Sequence, residues 1–478
     1  MLESTPTRLT PLCVDLDGTL ILSDLLLESM LLLIKRNPLY LLRIPLWLLR
    51  GKAALKAEIA ARVTVNPATL PYNREFLEWL QSERSTGRSL WLCTASNERL
   101  AQGIADHLGF FEGVISSDRN TNLAGESKAA RLVELFGEGG FDYCGNERRD
   151  LAIWRHARGA IVTRGGASLE RDAARSASLV RTFPSRANKV RALSRALRPH
   201  QWAKNALILV PLFAAHIARD PRALAAGLLA VVAFCLCASS VYVLNDLLDL
   251  EADRAHPRKS RRPFAAGDLS ILVGLVVAPI LLIAAVLIAT HLPEKFQLVF
   301  ASYYVLTLAY SFLLKGRVLV DALTLAGLYT LRIIAGAAAV DVPLSFWLLL
   351  FSIFLFLSLA FVKRFAELDS LRRRKRLRAD GRGYHVEDLP LLQSLGTASG
   401  YLSVLVLALY INSPAIAALY RRPKLVWMLC VLMLYWISRV WMKAQRGSMH
   451  DDPVVFALKD PVSLVIGVLA VITVAAAI

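Results

Sequence analysis

The stretch Leu244–Pro263, LNDLLDLEADRAHPRKSRRP, decides how this chain is read. It follows about twenty apolar residues, the length of a membrane span. Carboxylates crowd its first half and basic side chains its second. Asp246, Asp249 and Asp253 stand at i, i+3 and i+7, which puts them on one face of a continuous helix. Three carboxylates there repel one another unless a cation lies between them. An all-oxygen donor set suits Mg²⁺, which keeps waters and bridges to substrate phosphates. Arg254, Arg258, Lys259, Arg261 and Arg262 supply counter-charge for phosphate oxygens. The expected chemistry is the departure of a metal-bound diphosphate from an electrophilic carbon. The competing reading is a solvated loop whose arginines follow the positive-inside bias. That bias does not account for spaced aspartates after Asn245 at the mouth of a span, where carboxylates are costly.

The rest of the chain suits a membrane protein. Its 478 residues are 55% hydrophobic with mean hydropathy +0.46. That is too apolar for an ordinary soluble enzyme, and the length suggests two or more domains. The net charge of +18 orients so apolar a chain in a bilayer and attracts phosphate. No nucleic-acid module stands out, so no nucleic acid is expected as a partner. Cys13, Cys93, Cys144, Cys235, Cys237 and Cys430 form no metal-spaced pair and read as reduced packing residues. The polar opening MLESTPTRLT leads at once into a short apolar strand, which is not the pattern of a secretory signal.

The character of the sequence changes near residue 184. Before it, PLCVDLD, RSLWLCTAS, GFDYCGN and GAIVTR read as buried parallel strands among helical patterns. Residues 1–167 are thus expected to form an α/β domain, 168–197 a basic linker, and 198–478 an all-α membrane domain. About nine candidate spans fall near 205–218, 222–244, 269–290, 296–314, 318–340, 343–362, 389–412, 424–442 and 461–478. Loops 184–204, 245–268, 315–317, 363–388 and 439–460 are rich in Lys and Arg. The alternate loops carry few, with 413–423 the weakest fit. The α/β domain is therefore expected in the cytoplasm and the C-terminus outside, in a multi-pass protein of the cell (inner) membrane. The apolar stretch 25–50 is interrupted by Lys35, Arg36, Pro38 and Pro45. It reads either as a helical pair lying on the bilayer surface or as a buried helical cap on the α/β domain.

Asn245-Asp246-x-x-Asp249-x-x-x-Asp253 resembles the first aspartate-rich motif of the UbiA superfamily of intramembrane prenyltransferases, a fold of nine membrane helices. The likeness covers residues from about 190 onward. RPHQWAKN (198–205) and DRAHPRKSRRPFAAG (253–267) resemble the branch of decaprenyl-phosphate phosphoribosyltransferases. The resemblance implies that a polyprenyl phosphate attacks the anomeric carbon of phosphoribosyl diphosphate (PRPP) and that pyrophosphate leaves. Both substrates, Mg²⁺ and the lipid bilayer are the implied partners. A homo-oligomer is left open. Arg198, Gln201, Lys204 and Asn205 are the expected substrate contacts at the mouth of the first span. Tyr310, Lys315 and Arg332 join them from 310–337. An intramembrane arginine is costly, so Arg332 is expected in a polar cavity. Asp321 lies eleven residues before Arg332, about three turns away, so the two are not expected to pair. In LAFVKRFAELDSLRRRKR (359–376), where the family usually has a second aspartate-rich box, this chain offers only Glu367 and Asp369, preceded by Lys363 and Arg364. That falls short of a second full metal site. Lys363, Arg364 and Glu367 are expected substrate contacts, as the resemblance to the phosphoribosyl branch implies. The run RRRKRLR (372–378) reads as a solvated, membrane-facing cluster.

VDLDGTL (14–20) resembles the first motif of the haloacid dehalogenase (HAD) superfamily. By that resemblance Asp15 is the nucleophile, forming an aspartyl-phosphate, and Asp17 the acid/base. Thr94 in LCTAS holds the phosphate as the second motif, and Lys128 in GESKAARL neutralises charge as the third. GNERRD (145–150) is the fourth, with Asn146 where the family commonly has aspartate. The implied metal ligands are Asp15, Asp17, Asn146 and Asp150 beside Mg²⁺ in this domain. Asn146 donates no charge to a cation, which weakens the expected affinity. The fold class is then a HAD-like Rossmannoid domain with a helical cap, followed by a UbiA-like membrane bundle.

Fusion suggests sequential chemistry: 5-phosphoribosyl transfer, then removal of the 5-phosphate to leave polyprenyl-phosphoryl ribose. Two other readings compete. One is a UbiA-type prenyltransferase alkylating an aromatic or haem acceptor with a prenyl diphosphate. The other is a transporter or lipid-binding scaffold, which would line a through-path with charge rather than gather it at one set of span ends.

Overall fold

The structure is a computed structural model and describes residues 9–185, 187–373, 383–413, 420–449 and 452–478. Two compact units divide the chain. The first comprises residues 1–197 and 242–278, the second 198–241 and 279–478.

The first unit is built on a six-stranded parallel sheet in the order β3-β2-β1-β4-β5-β6. The strands are β1 (Leu12–Val14), β2 (Leu90–Asn97), β3 (Gly113–Ser117), β4 (Asp142–Gly145), β5 (Gly159–Thr163) and β6 (Ser178–Phe183). β1, β4 and β5 are buried throughout, as expected where helices cover both faces of a parallel sheet. The chain order reverses at β1, which has β2 on one side and β4 on the other. Crevices at such a switch point, beyond the carboxyl ends of the strands, are where open α/β sheets bind ligands. Asp15 is the first residue after β1. The expected linker is not one: it carries the helix Ala167–Ser176, the edge strand β6 and the helix Lys189–Leu197. Strand pairing decides this, since most of β6 is exposed and shows no apolar run.

Three helices follow the first motif: α1 (Leu25–Arg36), α2 (Ile44–Leu49) and α3 (Lys52–Ala60). Asp24 caps α1 by accepting the Leu27 N–H at 2.9 Å, which satisfies one of its orphan donors. Leu31 of α1 shares a core cluster with Val243, Leu247, Leu248, Leu250, Phe264, Leu269 and Ile271. Residues 242–278 are thus part of this unit's own packing. Inside that contact Arg254 donates to both oxygens of Glu28, at 2.9 and 2.6 Å, and both side chains are buried. Breaking a buried pair strands one charge and costs roughly 3–5 kcal/mol. Glu28→Ala is therefore expected to lower the thermal unfolding midpoint of the detergent-solubilised protein clearly, and a Glu28→Ala/Arg254→Met double variant to recover much of the loss. Lys35→Ala removes a largely exposed pair with Asp249 and is expected to cost about 0–1 kcal/mol.

The second unit is helical. Seven helices are long and apolar enough to cross a membrane: Pro221–Leu248, Ile271–Ala289, Glu294–Leu314, Val320–Ala339, Phe346–Arg373, Val386–Ile411 and Pro423–Gln445. An eighth is counted if Pro453–Lys459 and Pro461–Ala477, bent by 79° at their junction, form one span. The expected nine are therefore seven or eight among the described residues. The first expected span is missing on either count, and the last is present only as the bent pair. Residues 199–214 form a 3₁₀ stretch, Pro199–Leu209, and a short helix, Val210–Ala214. Pro211 sits in the first turn of that helix, and His216 after it has a left-handed φ of 58°. Residues 374–378 of the basic run and 414–419 of the loop before Pro423 lie outside the described residues. Arg372 and Arg373 are described, and both pair with Asp369. The six cysteines are free and buried.

Candidate functional site

The first site lies at the carboxyl end of β1. Lys128, from the helix Glu126–Phe136, reaches Asp15 Oδ1 at 2.7 Å, the Cys93 carbonyl at 3.2 Å and the Tyr143 hydroxyl at 3.0 Å. Burial works against the Lys128 charge, but the Asp15 and Asp150 carboxylates outweigh it and hold the amine above its usual range. Thr94 is buried on β2, and its hydroxyl accepts the Ser96 N–H at 3.0 Å. Asp17 Oδ1 accepts the Leu25 N–H at 2.7 Å, and Oδ2 accepts from the Ser96 hydroxyl at 2.8 Å. Burial, then the charges of Asp24 and Asp15, push Asp17 up to about 7. A carboxyl poised there both gives and takes a proton near neutrality. Gly18 lets the loop pass under Asn146: a Cβ at this left-handed position would lie 2.2 Å from Asn146 Nδ2.

The four expected metal ligands of this site divide. Asp15 faces the centre with Lys128. Asn146 Oδ1 accepts from the Thr19 hydroxyl at 3.1 Å. Both oxygens of Asp17 are already engaged, and those of Asp150 hold the turn: Oδ2 accepts the Asn146 and Glu147 N–H groups at 2.9 Å, and Oδ1 faces the Tyr143 hydroxyl at 3.3 Å. Burial, then Asp15, raise Asp150 to about 6. Protein donors thus hold both side chains, Asp17 at the start of α1 and Asp150 in the turn after β4. Asp15 and Asn146 add two further side-chain oxygen donors to the site.

The second site is the aspartate motif, and it differs from the expected single helical face. The helix ends at Leu248, Asp249 leaves helical geometry at φ −104°, ψ 17°, and a short helix, Leu250–Ala255, resumes. The break separates the carboxylates. Asp246 and Asp253 are buried and converge on one nitrogen: Arg262 Nη1 donates to Asp246 Oδ1 at 3.1 Å and to Asp253 Oδ2 at 2.6 Å. Asp249 turns instead to Lys35 of α1, at 2.7 Å. Burial raises Asp253, with Arg262 opposing. Among the described residues no three His, Cys, Asp or Glu side chains converge as a ready-made cage. Two buried carboxylates nevertheless meet at one positive point. Their all-oxygen chemistry is of the kind a hard divalent ion takes.

The basic residues around this motif divide as well. Arg258, Lys259 and Arg261 are exposed. Arg254 departs from its expected phosphate-binding role, because Glu28 and the Ala265 carbonyl take up its guanidinium. Asn245 accepts the Asp249 N–H through its backbone carbonyl, at 3.0 Å.

In the second unit the expected contacts fall into two networks. Asp452 binds Lys204 and Lys363, each at 2.9 Å, and accepts from the Tyr329 hydroxyl at 3.2 Å. Burial pulls Lys204 down to about 8. Asp452 stays well below the usual carboxylate range: burial opposes its charge, but Lys363 and Lys204 prevail. Beside it, Arg332 donates to Asn205 Oδ1 at 2.9 Å and to the Tyr303 hydroxyl at 2.9 Å. Arg332 is buried among polar partners, as an intramembrane arginine requires. In the other network Asp321 pairs with Arg364 at 2.5 Å and accepts from the Tyr310 hydroxyl at 2.8 Å, while Arg364 also holds Glu367 at 2.6 Å. Arg198 is left-handed, at φ 54°, at the start of the 3₁₀ stretch, and its carbonyl accepts the Gln201 N–H. Lys315 closes the turn after Leu314. Asp452 and Glu28 were missed by the sequence reading. The only signals were an acid before a helix-starting proline and a lone acid inside an apolar run.

Comparison with known proteins matches both parts. Residues 206–459 match the UbiA prenyltransferase family, and residues 12–155 match the haloacid dehalogenase-like hydrolases. The uncharacterized protein y4nM of Sinorhizobium fredii is 39% identical over 97% of this chain and 90% of its own length. The nodulation protein NoeC of Azorhizobium caulinodans is 38% identical over 56% of this chain and 88% of its own. A decaprenyl-phosphate phosphoribosyltransferase of Mycolicibacterium smegmatis is 42% identical over 39% of this chain and 60% of its own length. With membrane-length helices following a parallel α/β domain in the sequence, the chain is an integral membrane protein that belongs to the UbiA prenyltransferase family and carries a haloacid dehalogenase-like hydrolase domain N-terminal to its membrane part.

Proposed function

We propose that the chain transfers 5-phosphoribosyl from PRPP to a polyprenyl phosphate and that its hydrolase domain then removes the 5-phosphate. The observation that carries this reading is the convergence of Asp246 and Asp253 on one cationic nitrogen at the end of a membrane-length helix. The likeness to the Mycolicibacterium smegmatis transferase supports the choice of sugar donor.

In the transfer step a lipid phosphate oxygen attacks the anomeric carbon as the bond to the diphosphate breaks. The diphosphate leaves with the electron pair. Asp246 and Asp253 would hold Mg²⁺ here, and the ion would supply charge stabilisation to that leaving group. Arg262 turns from the carboxylates to the diphosphate, and the exposed Arg258, Lys259 and Arg261 attract it. In the second unit Lys204 and Lys363 bring two positive charges to one Asp452, with Arg332 nearby. That surplus suits an anionic substrate group.

In the hydrolase step Asp15 attacks the phosphorus of the 5-phosphate. The ribose oxygen leaves and takes a proton from Asp17. Lys128 balances the charge on Asp15 and the phosphate. Water, deprotonated by Asp17, then releases phosphate from the aspartyl-phosphate.

The test supplies purified full-length protein with a polyprenyl phosphate, Mg²⁺ and either labelled PRPP or a labelled prenyl diphosphate plus an aromatic acceptor. Label is expected in the lipid from PRPP alone. Incorporation only from the prenyl diphosphate would replace this reading with the alkylating one.

A further inference from the structure

Residues 37–51, NPLYLLRIPLWLLRG, belong to neither site. A 3₁₀ turn, Pro38–Leu42, and α2 direct only one side of this segment inward. Trp47 is buried in a small cluster with Leu33, Leu55, Ile59 and Val63, and Tyr40 and Ile44 pack against it. The other side faces out. Leu39, Leu41, Leu42, Leu46, Leu48 and Leu49 are all exposed, Leu42 at 74% and Leu49 at 85%. Arg43 and Arg50 lie within the segment and Arg36 immediately before it, and all three are exposed. Folded domains seldom leave such a contiguous apolar patch uncovered without a partner.

The helix that leads into the segment says which partner. Leu27 and Leu31 of α1 pack with Val243, Leu247 and Leu248 at the end of the membrane-length helix Pro221–Leu248. Lys35, one residue from the end of α1, bonds Asp249 immediately beyond that helix. The leucine-rich segment therefore begins beside the end of a membrane-length helix. It is too short to cross, and Pro38 and Pro45 break it.

We infer that residues 37–51 are an interfacial anchor lying in the surface of the bilayer that holds this chain's own spans. The leucines enter the boundary between headgroups and acyl chains, and Arg36, Arg43 and Arg50 meet anionic lipid phosphates. Leucines on the outward side with arginines among them match that boundary, where one layer is apolar and the next anionic. The anchor has a chemical consequence. The first N–H of α1, on Leu25, binds Asp17 at 2.7 Å. One helix thus ties the hydrolase acid/base to the membrane surface, which suits a phosphoester carried on a lipid.

The test needs no activity. Leu42→Cys and Leu49→Cys, in separate full-length proteins, are labelled with an environment-sensitive nitrobenzoxadiazole dye and reconstituted in vesicles of phosphatidylcholine and phosphatidylglycerol. The native cysteines are buried, and the unsubstituted chain sets the background. Leu135→Cys, at an exposed leucine of the helix Glu126–Phe136, is the reference. Labels at 42 and 49 are expected to emit further to the blue than the label at 135. Nitroxide lipids probing about 5–10 Å below the headgroups should quench them, and aqueous iodide should not. Adding Arg43→Gln and Arg50→Gln should reduce the nitroxide quenching. Iodide quenching at 42 and 49 equal to that at 135 would overturn the anchor. Protection from both quenchers would overturn it too, because protein would then cover the leucines.

Discussion

Asp246→Asn is expected to abolish pentose transfer, by on the order of 10²-fold or more, while hydrolysis of a small soluble phosphoester continues at the parental rate. Asp246 is buried and shares Arg262 with Asp253. The amide keeps the shape and removes the charge. A divalent ion would then meet one buried carboxylate instead of two, and Arg262 would keep a hydrogen-bond acceptor but lose one of its two ion-pair partners. The proposed hydrolase centre, Asp15, Asp17, Thr94 and Lys128, is held by its own hydrogen bonds, whereas Asp246 pairs with Arg262. Steady-state assays of both reactions on one preparation check this, with tryptophan fluorescence verifying the fold. Loss of both activities in a folded protein would mean that the two centres are not separate.

Asp15→Asn is expected to do the reverse. Transfer continues, and hydrolysis falls by on the order of 10³-fold or more, as for removal of other catalytic nucleophiles. The phosphorylated lipid then accumulates. Lys128 makes this variant informative about charge. Its amine is buried and sits 2.7 Å from Asp15, so neutralising Asp15 removes its nearest counter-charge and leaves Asp150 and the Tyr143 hydroxyl. A modest loss of stability is expected with the loss of turnover. Hydrolysis that survives Asp15→Asn would remove Asp15 from the nucleophile's role.

Much of the fold was legible because burial writes itself into apolar runs. β1, β2, β4 and β5 all stood out as such runs, and the membrane-length helices stood out by length. β6 did not: it lies at the sheet's edge, mostly exposed, and only its pairing with β5 makes it a strand. β3 is short and half buried, and it was missed for the same reason. The first expected span was apolar enough, but Pro211 and the left-handed His216 divide it.

The sites show the same boundary. Motif spacing singled out Asp15, Lys128 and Asp246, and the structure brings the first two within 2.7 Å. Spacing also placed Asp246, Asp249 and Asp253 on one helical face, whereas the backbone breaks at Asp249 and sends that side chain to Lys35, 214 positions earlier in the chain. Glu28 lies 226 positions from Arg254, and Asp452 lies 89 from Lys363. Spacing carries no information about such partners, so Arg254 looked like a phosphate ligand when tertiary packing had already committed it.

The central claim is that this chain builds a ribose-bearing lipid in two steps. The most direct measurement is mass spectrometry of the lipid formed from PRPP and a polyprenyl phosphate, taken over time with the full chain and with its Asp15→Asn variant. The account predicts polyprenyl-phosphoryl ribose from the parent, and from the variant a lipid heavier by one phosphate group that an added phosphatase converts to the parental product. A polyprenyl phosphate recovered unchanged from the parent in the presence of PRPP and Mg²⁺ would contradict it.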